Sequence, residues 1–308
     1  MDLTIAILIY DEDFYETYVR KTLSSIKHNL KNYKTLLLVD DRRDQSIELD
    51  KIFDLSEFNY EIAKHNENKG ILQGYLTAIN NSKTEYLWIL DQDDWVTKFD
   101  FDILRVENKV DFIYFQTYLT KRNKCDKHIH KANLYTVFLF RNQDNKFKNI
   151  PSMTQDDKQF ILTFRTDEEK MFIYRYYEGI LPAFWNKIVN VEFCKNRIKR
   201  VDFSKFGKLT ITSDVLLSLY LIEDLHKVMI TFYDLPYIHD ERNLNKYNWY
   251  YNKIDVPNIY ISDDVKKSWK VVYDNSMDVK KIFRDHWKDK LIEDYGKCNV
   301  DFNLLGIK

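Results

Sequence analysis

No apolar run in this 308-residue chain reaches the roughly 18 to 20 residues that carry a helix across a bilayer. The N-terminal run, Met1 to Tyr10, is short and carries Asp2 instead of a basic flank. It reads as a first strand, not as a secretory signal. Cysteine is sparse as well. Cys125, Cys194 and Cys298 stand far apart, are odd in number and form no Cys-x-x-Cys. That excludes a disulfide framework or a thiolate zinc site and points to reduced thiols in a cytosolic protein. Neither sign of charge dominates: 47 Lys and Arg face 48 Asp and Glu, without the basic excess of a general nucleic-acid binder. With 6 glycines in all, there is no Gly-rich phosphate loop closing on a lysine, which counts against a phospho- or nucleotidyltransferase.

What is present supplies a core for one large domain or two joined ones. The organising stretch is Tyr86-Leu-Trp-Ile-Leu-Asp-Gln-Asp-Asp-Trp95. Five apolar residues make a strand buried on both faces, and Asp91, Asp93 and Asp94 follow within four positions. Carboxylates that crowded repel one another and resist desolvation. A hard divalent cation, Mg²⁺ or Mn²⁺, removes the conflict, with phosphates completing its shell. The same stretch lacks the turn glycine and distal glutamate of an EF-hand loop.

Two upstream segments repeat the pattern. Thr4 to Tyr10 is strand-like and runs into Asp11, and Thr35-Leu-Leu-Leu-Val39 runs into Asp40-Asp41. Between them Phe14, Val19, Leu23 and Ile26 recur at helical spacing, and a helix is expected through Ile47, Ile52 and Phe53. A strand around residues 60–63, a turn at Asn68-Lys69-Gly70 and a helix over residues 72–79 deliver the chain to Tyr86. Strand and helix alternate four times, which predicts a parallel sheet with helices on both faces. Ligands collect outside the carboxyl ends of such strands, where the three acidic clusters converge.

Beyond this, residues 111–118 alternate as a strand, and residues 135–140 are another strand candidate. The charged stretch 121–131, with His128 and His130, reads as a solvated loop. Residues 141–157 read as a polar loop or insertion, the expected neighbour of an acceptor. A helix is expected over residues 166–177, with acids in its first turn. Ser213-Asp214 opens a further helix through Ile222, Ser213 being a good N-cap, and residues 228–232 form a strand. From Asn243 onward Trp269, Tyr273, Phe283 and Trp287 recur among lysines. They predict a C-terminal helical extension packed on the catalytic domain, with docking to an anionic membrane surface or a partner as the other reading.

Tyr10-Asp11, Val39-Asp40-Asp41-Arg42-Arg43-Asp44, Asn68-Lys69-Gly70 and Asp91-Gln92-Asp93-Asp94 together resemble the motifs of family 2 glycosyltransferases with the GT-A fold. The chain departs from the family where Arg42-Arg43 stands for Gly-Ser and Asp11 for Asn. The resemblance implies an α/β GT-A fold, a Rossmann-like, mostly parallel sheet flanked by helices. It implies a nucleotide-sugar-binding half over residues 1–105 and an acceptor-binding, catalytic half over 106–242, with the helical extension at 243–308. It implies an inverting, metal-dependent hexosyltransferase, located in the cytoplasm or at the inner face of the membrane. The enzyme would move a sugar from a nucleotide-sugar donor to a glycan or glycoconjugate acceptor. Tyr10, Asp11, Asp41, Asn68 and Gly70 would bind the nucleoside side, Asp41 accepting from the base. Asp91, Asp93 and Asp94 would hold Mn²⁺ or Mg²⁺, with Asp91 also meeting the diphosphate. Lys187, in a Trp185-Asn186-Lys187 turn, and His239 and Arg242 would contact the diphosphate. Asp214 aligns with the catalytic base, Ser213 standing where Glu is usual. No Ser-His or Cys-His arrangement suggests a protein nucleophile, which suits a single displacement. A non-catalytic sugar-nucleotide or partner-binding protein on the same scaffold, or a metal-dependent nucleotidyltransferase, are the rival readings.

Overall fold

A computed structural model of the chain describes residues 1–11, 14–106, 109–121, 124–130, 152–156, 159–167, 169–170, 184, 187–209 and 213–240. The first half alternates as expected. Strand β1 (Leu3–Ile9) is followed by α1 (Tyr15–Asn29), a two-residue β2 (Leu30–Lys31) and β3 (Thr35–Asp40). A short α2 (Leu49–Ile52), β4 (Tyr60–Lys64), α3 (Ile71–Asn81) and β5 (Tyr86–Asp91) complete it. β1 lies between β3 and β5 and pairs in parallel with both, while β4 pairs in parallel with β3.

β1, β3 and β5 are almost wholly apolar because both faces are covered, whereas the edge strand β4 is partly exposed. Side chains alternate across a strand, so Ile5, Ile7 and Ile9 of β1 pack with Leu36, Leu38, Trp88 and Leu90 against Val19, Leu23 and Ile26 of α1. Ala6 and Leu8 pack with Leu37, Val39, Leu87 and Ile89 against α3 on the other face.

The second half turns the sheet mixed. Short strands β6 (Trp95–Val96) and β7 (Phe99–Asp100) lead to β8 (Phe112–Lys121), β9 (Lys124–His130), β10 (Ser152–Asp156) and β11 (Gln159–Thr163). Then come β12 (Lys187–Asn190), α4 (Val191–Ile198), α5 (Ser213–Ile222) and β13 (Lys227–Asp240). β12 joins the halves by pairing antiparallel to both β5 and β8. β13 runs parallel to β8, and β11 and β10 continue the sheet antiparallel. The result is a mixed sheet flanked by helices, the GT-A-like architecture the motifs imply.

Several expectations are corrected. Residues 124–130 are a strand, β9, not a loop, and residues 152–156 of the expected 141–157 loop are β10. Both lie at the margin of the sheet, where charged and polar side chains are normal on a strand and hide its pattern. The helix expected through Ile47 is reduced to the four residues of α2, and the strand expected over 228–232 runs on to Asp240. Ser213 is the first residue of α5 and its buried Oγ has no hydrogen-bond partner, so its side chain does not cap the helix. Residues 135–140, most of 166–177, and the extension at 243–308 lie outside the described residues. Among the described residues no helix is long and apolar enough to cross a membrane.

Candidate active site

The carboxyl ends of β1, β3 and β5 are stitched together by their own polar groups. The Tyr10 N–H donates to Gln92 Oε1 (3.0 Å), tying the end of β1 to the acidic turn after β5. The Arg43 N–H donates to the Asp11 carboxylate, tying the same end to β3.

Asp40 and Asp41 point to opposite faces. Asp40 receives a two-pronged hydrogen bond from the Arg42 guanidinium (Nε to Oδ1 and Nη2 to Oδ2, both 2.8 Å), and Arg42 also donates to the Ile47 carbonyl (2.9 Å). Both side chains are fully enclosed, and the carboxylate raises the guanidinium pKa further above its ordinary value. Asp41 accepts from the backbone N–H groups of Lys69 (2.6 Å) and Gly70 (2.9 Å). His65 Nδ1 lies 2.7 Å from the same carboxylate and His65 Nε2 lies 2.7 Å from Thr77 Oγ1 on α3. With Asp41 ionised, Nδ1 carries the proton and Nε2 accepts from Thr77. Asn68 Nδ2 donates to the Asp41 carbonyl (2.5 Å). Gly70 is required twice over: its φ is +85°, and a Cβ there would meet the Leu209 carbonyl and Lys208 Cγ at 3.0 Å.

At the end of β5 the backbone of the acidic turn is held by α1. The Thr22 hydroxyl faces the carbonyls of Gln92 (2.8 Å) and Asp94, Ser25 Oγ accepts from the Val96 N–H (3.0 Å), and Asn29 Nδ2 donates to the Val96 carbonyl (2.8 Å). The Lys21 ammonium sits 3.3 Å over the Trp95 ring. Asp93 and Asp94 are buried and Asp91 is half-buried. Among the described residues no three His, Cys, Asp or Glu side chains are grouped as ligands of one metal ion. Carboxylate oxygens are nonetheless the donor type that suits Mg²⁺ or Mn²⁺, which are commonly held by one or two carboxylates plus substrate phosphates.

Tyr75 of α3 marks where the two halves meet. Burial raises its phenol pKa well above the usual value, and the charges of Asp91 and Asp214 raise it further, with smaller effects from Tyr10 and Asp94. Asp214 stands half-buried in the first turn of α5, and its charge also acts on Lys187. Lys187 opens β12 and is 1% exposed. β13 brings its far end to the same region, pairing Ile238 with Trp95 and Tyr237 with Val96. That sets the backbone of His239 one residue from the acidic turn, although its side chain, like all of Trp185, Asn186 and Arg242, lies outside what the structure describes.

Sequence reasoning passed over Thr22, His65, Tyr75 and Gln92. A threonine among the apolar Val19, Leu23 and Ile26 of α1 was a readable signal, because a buried hydroxyl demands a partner. Tyr75 gave no such sign, since a tyrosine in an apolar helix stripe is ordinary core.

These strand ends are those of a glycosyltransferase. The sequence pattern of the family described as Glycosyl transferase family 2 matches residues 4–161, half of the chain, and the chain belongs to that family, whose donors are nucleotide sugars. Among solved structures, the fold is similar to S. aureus TarS 1-349 in complex with UDP-GlcNAc, with a TM-score of 0.55 at 13% identity, covering 96% of this chain and 72% of that one. A longer TarS structure gives 0.56 at 12% identity, and this chain spans 43% of its length. No curated protein matches the chain in sequence.

Proposed function

We propose that the protein is an inverting, metal-dependent transferase acting in the cytoplasm or at the inner face of the membrane. It moves a hexose from a uridine diphosphate carrier to a hydroxyl of a glycan or of a lipid- or protein-linked glycoconjugate. The observation that supports this reading is the parallel register of β1, β3 and β5, which brings Asp11, Asp41 and the turn from Asp91 to Asp94 to one edge of the sheet. That edge is where α/β sheets bind ligands. The uridine assignment draws on the UDP-GlcNAc bound to TarS.

In this mechanism Tyr10, Asp11 and the turn built from Asp41, Asn68 and Gly70 cradle the nucleoside, and His239 and Arg242 are the candidates for diphosphate contact. Asp91, Asp93 and Asp94 would hold Mg²⁺ or Mn²⁺, whose contribution is Lewis-acid stabilisation of charge on the departing diphosphate. Asp214, fixed on a helix end, accepts the proton of the acceptor hydroxyl as that oxygen attacks the anomeric carbon. The bond to the diphosphate oxygen breaks on the opposite face, so configuration inverts without a protein nucleophile.

The test is a thermal-shift and hydrolysis screen of UDP-, GDP- and dTDP-sugars with and without Mn²⁺. A Mn²⁺-dependent rise in unfolding temperature with a UDP-sugar, together with slow release of UDP, is expected. Stabilisation without release identifies a binding protein on this scaffold, and no response to any nucleotide sugar overturns the donor assignment.

A further inference from the structure

His65 stands just past the end of β4, and its main-chain N–H donates to the Asp40 carbonyl (3.0 Å), one residue beyond the β3–β4 ladder. Its ring is buried, with Asp41 Oδ1 2.7 Å from Nδ1 and Thr77 Oγ1 2.7 Å from Nε2. An ionised carboxylate only accepts, so the proton sits on Nδ1, and the Thr77 hydroxyl donates to Nε2. Such a carboxylate offers about four lone-pair sites on its two oxygens. Oδ1 of Asp41 accepts from His65 and from the Lys69 N–H (2.6 Å), and Oδ2 accepts from the Gly70 N–H (2.9 Å). These bonds fill both sites on Oδ1 and one on Oδ2, which leaves Oδ2 with the open one. Lys69 and Gly70 are consecutive residues of one turn, so without His65 a single segment would hold the carboxylate. His65 grips it from the end of β4, and Thr77 fixes the ring from α3.

We infer that His65 is a positioning residue for donor recognition: its Nδ1–H, oriented by Thr77, locks the Asp41 carboxylate so that the open lone pair on Oδ2 meets a ring N–H of the donor's base. The inference rests on the reading of Asp41 as the base contact. Uracil carries such a donor at N3, whereas cytosine has a lone pair at the same ring position. A site built to accept a hydrogen bond rejects a ligand that cannot donate it, because the buried acceptor is left unpaired. The selection depends on where Oδ2 points. Rotation of the carboxylate about Cβ–Cγ would exchange its filled and open lone pairs, and His65 opposes that rotation from outside the turn. A residue that only filled the space could be leucine.

Calorimetric binding of UDP and CDP, each with Mg²⁺, tests this in the full-length protein, His65→Leu and His65→Asn. The parent should bind UDP at least about tenfold more tightly than CDP, the factor that one hydrogen bond to a charged group supplies. In His65→Leu the ratio should fall to about two or less, through weaker UDP binding. His65→Asn, whose amide N–H reaches the place of the Nδ1–H, should restore most of it. A merely structural histidine would weaken both nucleotides alike and leave the ratio unmoved. A preference for UDP that survives in a folded His65→Leu therefore overturns the inference and leaves the base reading standing. Equal binding of UDP and CDP by the parent overturns the base reading, and the inference with it. Where neither variant folds, the resonance of the His65 Nδ1 proton in the parent decides. It should move further at saturating UDP than at saturating CDP, because a second donor on the carboxylate alters its hold on that proton. Equal responses to the two nucleotides overturn the inference.

Discussion

At the end of β3 the carboxylates themselves carry structure. Asp40 is clamped by the Arg42 fork, and Asp41 gathers His65 and the N–H groups of Lys69 and Gly70. At the end of β5 the dependence runs the other way: Thr22, Ser25 and Asn29 of α1 hold the backbone of the acidic turn around its aspartates. Both ends are pairs of adjacent acids after a buried strand. At the first the carboxylates hold the fold, and at the second α1 holds the main chain that carries the acids. Set beside the proposed chemistry, the contrast predicts that loss of Asp40 acts on stability and loss of Asp93 on turnover.

The largest effect expected is at Asp40. Asp40→Ala leaves the Arg42 guanidinium enclosed without its partner, and breaking a buried pair in this way destabilises by about 3–5 kcal/mol. Urea unfolding measures it, and a loss below about 1 kcal/mol would mean that Arg42 finds water or another acceptor. Asp93→Asn should do the reverse. It is expected to lower transfer at least 100-fold, or about 2.7 kcal/mol in the barrier, while the unfolding free energy changes by less than about 1 kcal/mol. Near-normal turnover in Asp93→Asn removes the reason for treating the two ends as different.

A smaller effect follows from the way the turn is held. Thr22→Val keeps the shape of the side chain but removes the hydroxyl facing the Gln92 and Asp94 carbonyls. Loss of one buried hydrogen bond is expected to lower stability by about 1–2 kcal/mol. Because the turn then relaxes, kcat should fall further than stability alone explains, severalfold at a temperature where the protein is fully folded. An unchanged kcat would show that α1 supports the turn without setting its geometry.

Much of this was legible beforehand, for reasons that differ by region. β1, β3 and β5 are covered on both faces, so nearly every residue is apolar and the acids at their ends stand out. The edge strands β9 and β10 carry charged and polar side chains, so their sequences look like loops. The convergence of Asp11, Asp41 and Asp91 on one sheet edge follows from the parallel order alone. The use made of each carboxylate does not: a one-residue step sends Asp40 to Arg42 on one face and Asp41 to His65 on the other. The resemblance implies a diphosphate contact for Lys187, and only the structure shows that it is the first residue of β12, enclosed by rings from β8 and by Phe184. That placement is set by pairing across more than seventy residues.

The smallest effect expected concerns the same lysine and can be worked out by sign. Burial lowers the Lys187 pKa to about 7 from an ordinary value of 10.5. Between those values the unfolded chain binds a proton that the folded protein does not, so stability rises with pH across that window. Cys194 acts oppositely but later. Its pKa is raised above 9.0 by burial, so above about pH 9 the folded protein retains a proton that the unfolded chain gives up, and stability falls. The phenols of Tyr33, Tyr75 and Tyr86, raised above 10.0 by the same cause, add to that fall above pH 10. Among the described residues Lys187 therefore tilts the profile upward between pH 7 and 9, and Lys195, whose pKa burial also lowers, acts in the same direction. Lys187→Met should flatten it there, by on the order of 1 kcal/mol, or a few degrees in the unfolding midpoint. A Lys187→Met profile that climbs as steeply as the parent's would mean that the ammonium is solvated and that the aromatic cage does not enclose it.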